Sequence, residues 1–257
     1  MSRAGHAFGG HAAAALGFAT LLGVMVALEV LIRAGVVNRF VVPLPSQVLA
    51  AIPRIVAEES IPHRFWQTTQ EALAASLLLI VVGLALGMLL FRFRLLRSAC
   101  ETWVAALASA PIVLMYPLFL VIFGRSSTTI VMIGFVSGVP PLILKTVEGL
   151  AGTRKVLVDV GRSFRLDGSQ LFRKILLPAA LPSIFVGLRV GLIFMLINIV
   201  GVEFLINFGG LGQLINELAE RYDLPGTYAA IGFVILVSVL FFVACERAEK
   251  WLLPRAA

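Results

Sequence analysis

Long apolar runs, each about the length of a membrane-crossing helix, follow one another along this chain, with short polar stretches between them. The first extends from Ala12 to Ile32, the second from Thr68 to Phe91 and the third from Cys100 to Phe123. The fourth covers Thr128 to Leu144, the fifth Ser183 to Leu205 and the sixth Tyr228 to Cys245. Crossing the hydrocarbon core takes about 20 helical residues. The runs are continuous rather than alternating, which predicts helices and not the strands of a barrel. The first run is too long for the apolar part of a cleaved signal and reads as a span. The expected fold is therefore all-α, a polytopic membrane helical bundle of six transmembrane helices. Glu71, Glu101, Pro111 and Pro117 interrupt the second and third runs. Prolines are tolerated there when neighbours or water satisfy the freed carbonyls.

Composition agrees with this reading. Of 257 residues, 60% are hydrophobic and only 14% charged, with mean hydropathy +0.99, too apolar for a soluble domain. The net charge of +7 does not point to nucleic acid, because the cations fall between the apolar runs, as topology signals do. With the N-terminus inside, the inner segments hold Arg3, Arg92, Arg94, Arg97, Lys145, Arg154, Lys155, Arg162, Arg165, Arg173, Lys174, Arg247, Lys250 and Arg255. The outer segments hold Arg33, Arg39, Arg54, Arg64, Arg125 and Arg221, with Arg189 left inside span five. That bias predicts both termini in the cytosol. Cys100 and Cys245 lack metal spacing and are not expected to pair. His6, His11 and His63 form no cluster, so no metal site is expected.

Two polar segments look structured. Pro45-Ser46 followed by QVLAAIPRIV predicts a short amphipathic helix capped by Ser46 and lying along the outer face. In the segment from Asn207 to Thr227, Gly209, Gly210 and Gly212 predict a tight turn, and Gln213 to Arg221 a short helix.

The basic stretch from Asp159 to Pro178, between spans four and five, carries the best functional clue. Val156 to Phe164 predicts one short helix, and Arg165-Leu166 the turn. Asp167 is placed to cap a second helix, with Gln170 three residues on as its reciprocal partner. Leu171, Phe172 and Ile175 fall on one face, with Arg173 and Lys174 pointing elsewhere. Pro178 and Pro182 are expected to end that helix before span five begins. A helix lying across the inner membrane face can fit a groove on a soluble partner and pass on its rearrangement; a solvated basic loop that only fixes topology is the plainer alternative.

This loop resembles the EAA loop of binding-protein-dependent ABC importer permeases of the type I fold, whose pattern is Glu-Ala-Ala, three residues, Gly, nine residues, Ile-x-Leu-Pro. Asp159-Val160-Gly161 takes the Glu-Ala-Ala place, and Ile175-Leu176-Leu177-Pro178 matches the end as it stands. Arg165 takes the usual Gly place, with Gly168 expected to supply the flexible turn instead. Pro43-Leu44-Pro45-Ser46, Pro117-Leu118-Phe119 with Phe123-Gly124, and Glu203 followed by Gly210-Leu211-Gly212 resemble segments of the nitrate, sulfonate and taurine subgroup.

The resemblance implies the permease subunit of an ATP-driven importer in the bacterial cytoplasmic (inner) membrane. It implies a second copy of the permease, an ATP-binding subunit, and a periplasmic or lipid-anchored solute-binding protein. The solute would be a small anion or small nutrient such as a sulfonate, nitrate or taurine-like compound. The chain has no GxxxxGK[ST] loop, so no cofactor is expected on it; ATP-Mg belongs to the partner subunit and the chain is not expected to be an enzyme. Its organisation would be an N-terminal helix and outer amphipathic segment over 1–66, a permease domain over 67–248 with the coupling loop at 151–180, and a cytoplasmic tail at 249–257.

The docking residues implied for the ATP-binding subunit are Asp159, Ser163, Phe164, Arg165, Leu166, Asp167, Gly168, Leu171, Phe172 and Pro178. Candidates for a solute path or gate are Met115, Tyr116, Asn198, Glu203 and Asn207. Glu203 and Asn207 share a helical face, and an Asn at depth in span five must face protein or water. Gly187 and Gly191 have the GxxxG spacing that favours close helix packing. Arg189 attracts an anion or snorkels to the inner headgroups, Glu71 is expected at the outer interface, and Lys145 pairs with Glu148. An ATP-independent secondary transporter would show paired intramembrane acids or related halves, and an embedded enzyme a convergent polar set; neither pattern is visible. A membrane scaffold remains as the further alternative.

Overall fold

The computed structural model describes residues 4–252; Arg3, Arg255 and the side chains of His6 and His11 lie outside it. Everything regular in the described residues is helical. Helix α1 spans Ala4–Arg33, α2 Pro45–Glu58, α3 Ile61–Arg92, α4 Arg94–Ser109, α5 Tyr116–Phe123 and α6 Ser127–Ala151. Then come α7 Lys155–Ser163, α8 Gly168–Leu171, α9 Leu177–Ile206, α10 Gly210–Glu220 and α11 Leu224–Leu252. Among the described residues, five stretches are long and apolar enough to cross a membrane: Ala15–Arg33, Ile61–Arg92, Ser127–Ala151, Gly168–Ile206 and Leu224–Trp251.

The expected third span differs from a simple helix. It is a bent pair, Arg94–Ser109 and Ile112–Phe123, with 92° between the two parts. Pro111 sits at the break and starts a 3-10 turn at Ile112–Met115. Proline has no N–H to continue the ladder and disfavours helical geometry in the residue before it; Ala110 is accordingly extended, at ψ 137°.

The chain divides into two compact units, residues 1–61 with 217–233, and residues 62–216 with 234–257. In the first, α2 begins at Pro45 with Leu44 in the cap position. The expected Ser46 cap is not made: the Ser46 N–H and hydroxyl both donate to the Glu29 carboxylate of α1, at 3.1 and 2.8 Å. Long-range ion pairs here, Arg54 with Asp223 and Arg221 with Glu59, join the short amphipathic helix to the stretch around residue 222. The Asp223 carboxylate raises the Arg54 pKa, first through their hydrogen bond and then through charge.

The second unit is built on the α6–α9 crossing. Leu79, Ile130, Ile133, Leu142, Met195 and Ile199 are completely or almost completely buried there. Small residues bring the two backbones together: a Cβ on Gly191 would lie 2.5 Å from the Gly138 carbonyl oxygen, and one on Gly187 2.5 Å from Lys145 Cβ. The GxxxG spacing is therefore a packing device. The Ser183 hydroxyl adds a bond to the Lys145 carbonyl at 3.0 Å.

Candidate functional site

Three places gather the residues of interest, all in the second unit. The first is the polar loop after α6. Helix α7 ends in a Schellman arrangement, in which the Leu166 N–H donates to the Gly161 carbonyl at 3.1 Å and the Arg165 N–H to the Arg162 carbonyl at 2.8 Å. That motif needs a left-handed residue just past the helix, and glycine is the usual choice. Here Arg165 adopts it, at φ 53°. Gly168 has no positive φ and opens α8 in ordinary helical geometry. The turn is thus made by Arg165 itself and not, as the sequence suggested, by Gly168. The capping box is present: the Gln170 N–H donates to the Asp167 carboxylate at 2.7 Å, and the Asp167 N–H to the Gln170 side chain at 3.2 Å.

Pro178 does not end the second helix. A π turn over Phe172–Leu176 joins α8 to α9 without a break, and the Leu177 N–H bonds back to the Phe172 carbonyl five residues earlier. The widened turn shifts the hydrogen-bond ladder just where Pro178 lacks an N–H. Gly161 is buried against this segment: a Cβ there would lie 2.5 Å from Ile175 Cδ1 and 2.6 Å from Leu171 Cδ1. Leu171 and Phe172, named from sequence as docking residues, are partly buried, Leu171 against Gly161 and Phe172 against the core. Leu166 is also partly buried, while Asp159, Ser163, Phe164, Arg165, Asp167, Gly168 and Pro178 are exposed. Asp159 lies 3.8 Å from Arg162, and the Ser163 hydroxyl bonds back to the Asp159 carbonyl at 3.0 Å. Phe164 is 77% exposed and Val156 71%, and Val160 between them is also exposed. Spaced four apart, these three make one apolar stripe along α7. Val156 and Val160 were missed in the sequence; their i, i+4 spacing ahead of Phe164 was the available signal.

The second place is the C-terminal end of α9. Asn207 caps the helix in left-handed geometry, and Gly209 and Gly210 follow at φ 68° and 74°. Glu203 is fully buried. Its carboxylate accepts from the Thr68 hydroxyl at 2.7 Å and from the Gly212 N–H at 2.8 Å. Thr68 in turn accepts from the Leu211 N–H at 2.9 Å, and Gln67 from the Gly210 N–H at 3.1 Å. The expected turn and helix merge here, since α10 already begins at Gly210. The Arg125 guanidinium donates to the Ile206 carbonyl at 2.9 Å and also to that of Asn207. Glu71, expected at the interface, is instead buried, within hydrogen-bonding reach of Ser127 and Glu203. Glu203 therefore clasps the glycine loop onto α3 and is not a surface group. Thr68, Gln67 and Arg125 complete the clasp; no sequence signal singled them out, because their partners are far away in the chain.

The third place is the break in the α4–α5 pair. A cavity of about 390 Å³ lies there, lined by Leu107–Val113 on one side and by Ser137, Phe194, Ile197, Asn198 and Gly201 on the other. The Asn198 amide donates to the Phe194 carbonyl of its own helix at 2.8 Å, so it makes no interhelical bond. Met115 is exposed in the adjoining 3-10 turn, and Tyr116 packs on the core. Outside these places, Lys145 pairs with Glu148 at 2.7 Å. Arg189 pairs with Glu249, so its charge is matched inside the protein rather than snorkelling alone.

Residues 79–256 match the family described as the binding-protein-dependent transport system inner membrane component. The chain belongs to that family. Over 212 residues it is 27% identical to the formylaminopyrimidine transport permease protein ThiX of Halalkalibacterium halodurans, covering 82% of this chain and 85% of that one. It is 31% identical over 174 residues to the nitrate import permease protein NrtB of Synechocystis sp., covering 68% and 63%. A chain of the inward-facing MetNI methionine ABC transporter superposes with a TM-score of 0.62 over 72% of this chain and 92% of that chain, at 22% identity. The fold is that of type I ABC importer permeases, and this chain is a multi-pass membrane permease subunit.

Proposed function

We propose that this chain forms the solute pathway of an ATP-driven importer for a small nutrient. Two copies would make the pathway, and a solute-binding protein would deliver the solute at the outer face. An ATP-binding subunit, which alone carries ATP-Mg, would dock on the loop formed by α7 and α8. In this reading both termini are cytoplasmic, which puts that loop on the same side as ATP. The observation that carries the reading is the α7 stripe of Val156, Val160 and Phe164, exposed beside a turn closed by a Schellman pair and a capping box. An aromatic knob on a rigid, solvent-facing element is what a partner groove recognises. The solute range follows the relatives, among them permeases for a formylaminopyrimidine and for nitrate; the subgroup motifs around Glu203 add sulfonates and taurine-like compounds.

The test is a gentle-detergent purification of the tagged chain from its native membrane, with mass spectrometry of what is retained. Recovery of an ATP-binding subunit, lost on Phe164→Asp while the permease itself stays folded, supports the reading. Recovery of the chain alone, under conditions that preserve another importer, overturns it in favour of a secondary transporter or scaffold.

A further inference from the structure

The Glu203 clasp holds one acid more than its donors serve. Glu203 is 0% exposed and Glu71 6%, and the two lie within hydrogen-bonding reach of each other. Glycines close the space around Glu203: a Cβ on Gly212 would lie 2.7 Å from the Glu203 Cβ, and one on Gly210 would overlap its carboxylate. That packing leaves no room for a counter-ion on the loop side. Two like charges, buried and side by side, cannot both be sustained. A cation between them would relieve the conflict, but among the described residues neither acid forms an ion pair. Arg125, at the same end of α9, donates to the Ile206 and Asn207 carbonyls. The helix ends act in opposite senses: the carbonyl end of α9 disfavours an anion, and the first-turn amides of α10 favour one. The Thr68 hydroxyl and the Gly212 N–H each give a hydrogen to a different oxygen of Glu203, so a carboxylate there is well served. Glu71 has only Ser127 besides Glu203 in reach, and its Oε2 is buried without a partner. The site provides for one negative charge, at Glu203, and for none at Glu71.

We infer that Glu71 and Glu203 form a one-proton site, in which Glu71 stays a neutral acid and donates its hydrogen to an ionised Glu203. A hydrogen bond from a neutral acid to a carboxylate is charge-assisted and stronger than one between neutral groups. The proton therefore acts as a structural ligand: it turns two repelling groups of α3 and α9 into a bonded pair, with Ser127 at the start of α6 beside them. Acids inside a membrane bundle often face a water-filled path and relay protons along it. Neither of these lines the cavity at the α4–α5 break, and the clasp encloses both, so the proton is held rather than passed on.

Infrared spectroscopy reads such a proton directly. The full chain, purified with whatever subunits stay bound and placed in lipid bilayers at neutral pH, is prepared with ordinary and with carbon-13 glutamate. A protonated carboxyl absorbs above the amide band, where carboxylates do not, so a glutamate-dependent band is expected there. Glu71→Gln should remove it. The amide of that variant still donates to Glu203, so the melting temperature should stay within about 2 °C of the parent. Glu203→Gln should lower it further, by about 2–12 °C. An amide has a single oxygen, so either the Thr68 hydroxyl or the Gly212 N–H then meets an N–H group in place of an acceptor. Absence of a glutamate-dependent band in the parent overturns the site, whether or not the variants fold. A band that survives Glu71→Gln, or a Glu203→Gln variant as stable as Glu71→Gln, overturns the assignment of the proton. The band is read whether or not an ATP-binding subunit is recovered, so failure here is distinguishable from failure of the importer reading.

Discussion

The two ends of α9 are held by opposite means. At the Glu203 end, one buried carboxylate collects donors from α3 and from the glycine loop after α9, and nearly every bond joins residues far apart in sequence. At the other end, the α7–α8 turn is closed by a Schellman pair and a capping box, and every bond spans five residues or fewer. A clasp of long-range bonds fixes a loop to the body and fails if its centre is removed. A turn of local bonds keeps its own shape and presents a surface wherever the rest of the chain moves. The first arrangement suits a fixed hinge, and the second suits an element pushed by a partner.

Removing the clasp centre should have the largest effect. Glu203→Leu leaves the Gly212 N–H and the Thr68 hydroxyl without their acceptor inside the protein. Each buried group left unsatisfied costs about 1–3 kcal/mol. The purified permease should then melt roughly 4–24 °C lower, taking about 2–4 °C per kcal/mol for a chain of this size. A melting temperature within a degree of the parent would mean the loop holds without Glu203, and the contrast between the two ends would disappear.

Gly161→Leu is the matching strike at the other end. Its side chain would enter the space held by Leu171 and Ile175, so α7 must lift from α8. Recovery of the ATP-binding subunit should be abolished. The melting temperature should fall by less than with Glu203→Leu, because α7 is exposed on its other faces. A large thermal loss here with normal recovery of the partner would show that this end, too, belongs to the body and is not a separate docking element.

Phe164→Ala separates surface from scaffold. At 77% exposure the ring contributes little to folding, so stability should change by no more than about 0.5 kcal/mol. As an aromatic anchor in a partner groove it should weaken association by about ten-fold or more, from roughly 1–2 kcal/mol of binding. Titration of the purified ATP-binding subunit against parent and variant checks this. Unchanged affinity would remove the stripe from the interface.

What the sequence made legible, and what it hid, follows the same division. The capping box at Asp167 and Gln170 was readable because both partners lie within four residues, and the apolar runs were readable because bilayer thickness sets their length. The burial of Glu71 beside Glu203, and the Thr68 and Arg125 contacts, depend on helices meeting across more than fifty residues, and no local pattern encodes that. The broken third span falls between: Pro111 was visible, but a proline in a membrane helix is compatible with a kink or with a break, and only the surrounding cavity decides. Pro178 misled in the opposite direction, because a π turn carries the helix past it.

The smallest effects fall on the turn itself, where sequence and structure disagree about which residue does the work. Gly168→Pro, which a flexible turn at that position could not tolerate, should leave docking intact. Gly168 opens α8 with open space beside it, and proline is well suited to the first helical position. Arg165→Gly should tighten the turn, because glycine takes the left-handed geometry without a Cβ conflict. The gain is about 0.5–1 kcal/mol after allowing for the greater freedom of the unfolded glycine. The Leu166 amide, which closes the turn on the Gly161 carbonyl, reports this directly: its hydrogen exchange should slow by about two- to five-fold in the glycine variant. Arg165→Val should speed it, since a β-branched residue is a poor occupant at φ 53°. If glycine and valine both speed exchange, the arginine side chain holds the turn through its own contacts, and the strain assigned to its backbone is wrong.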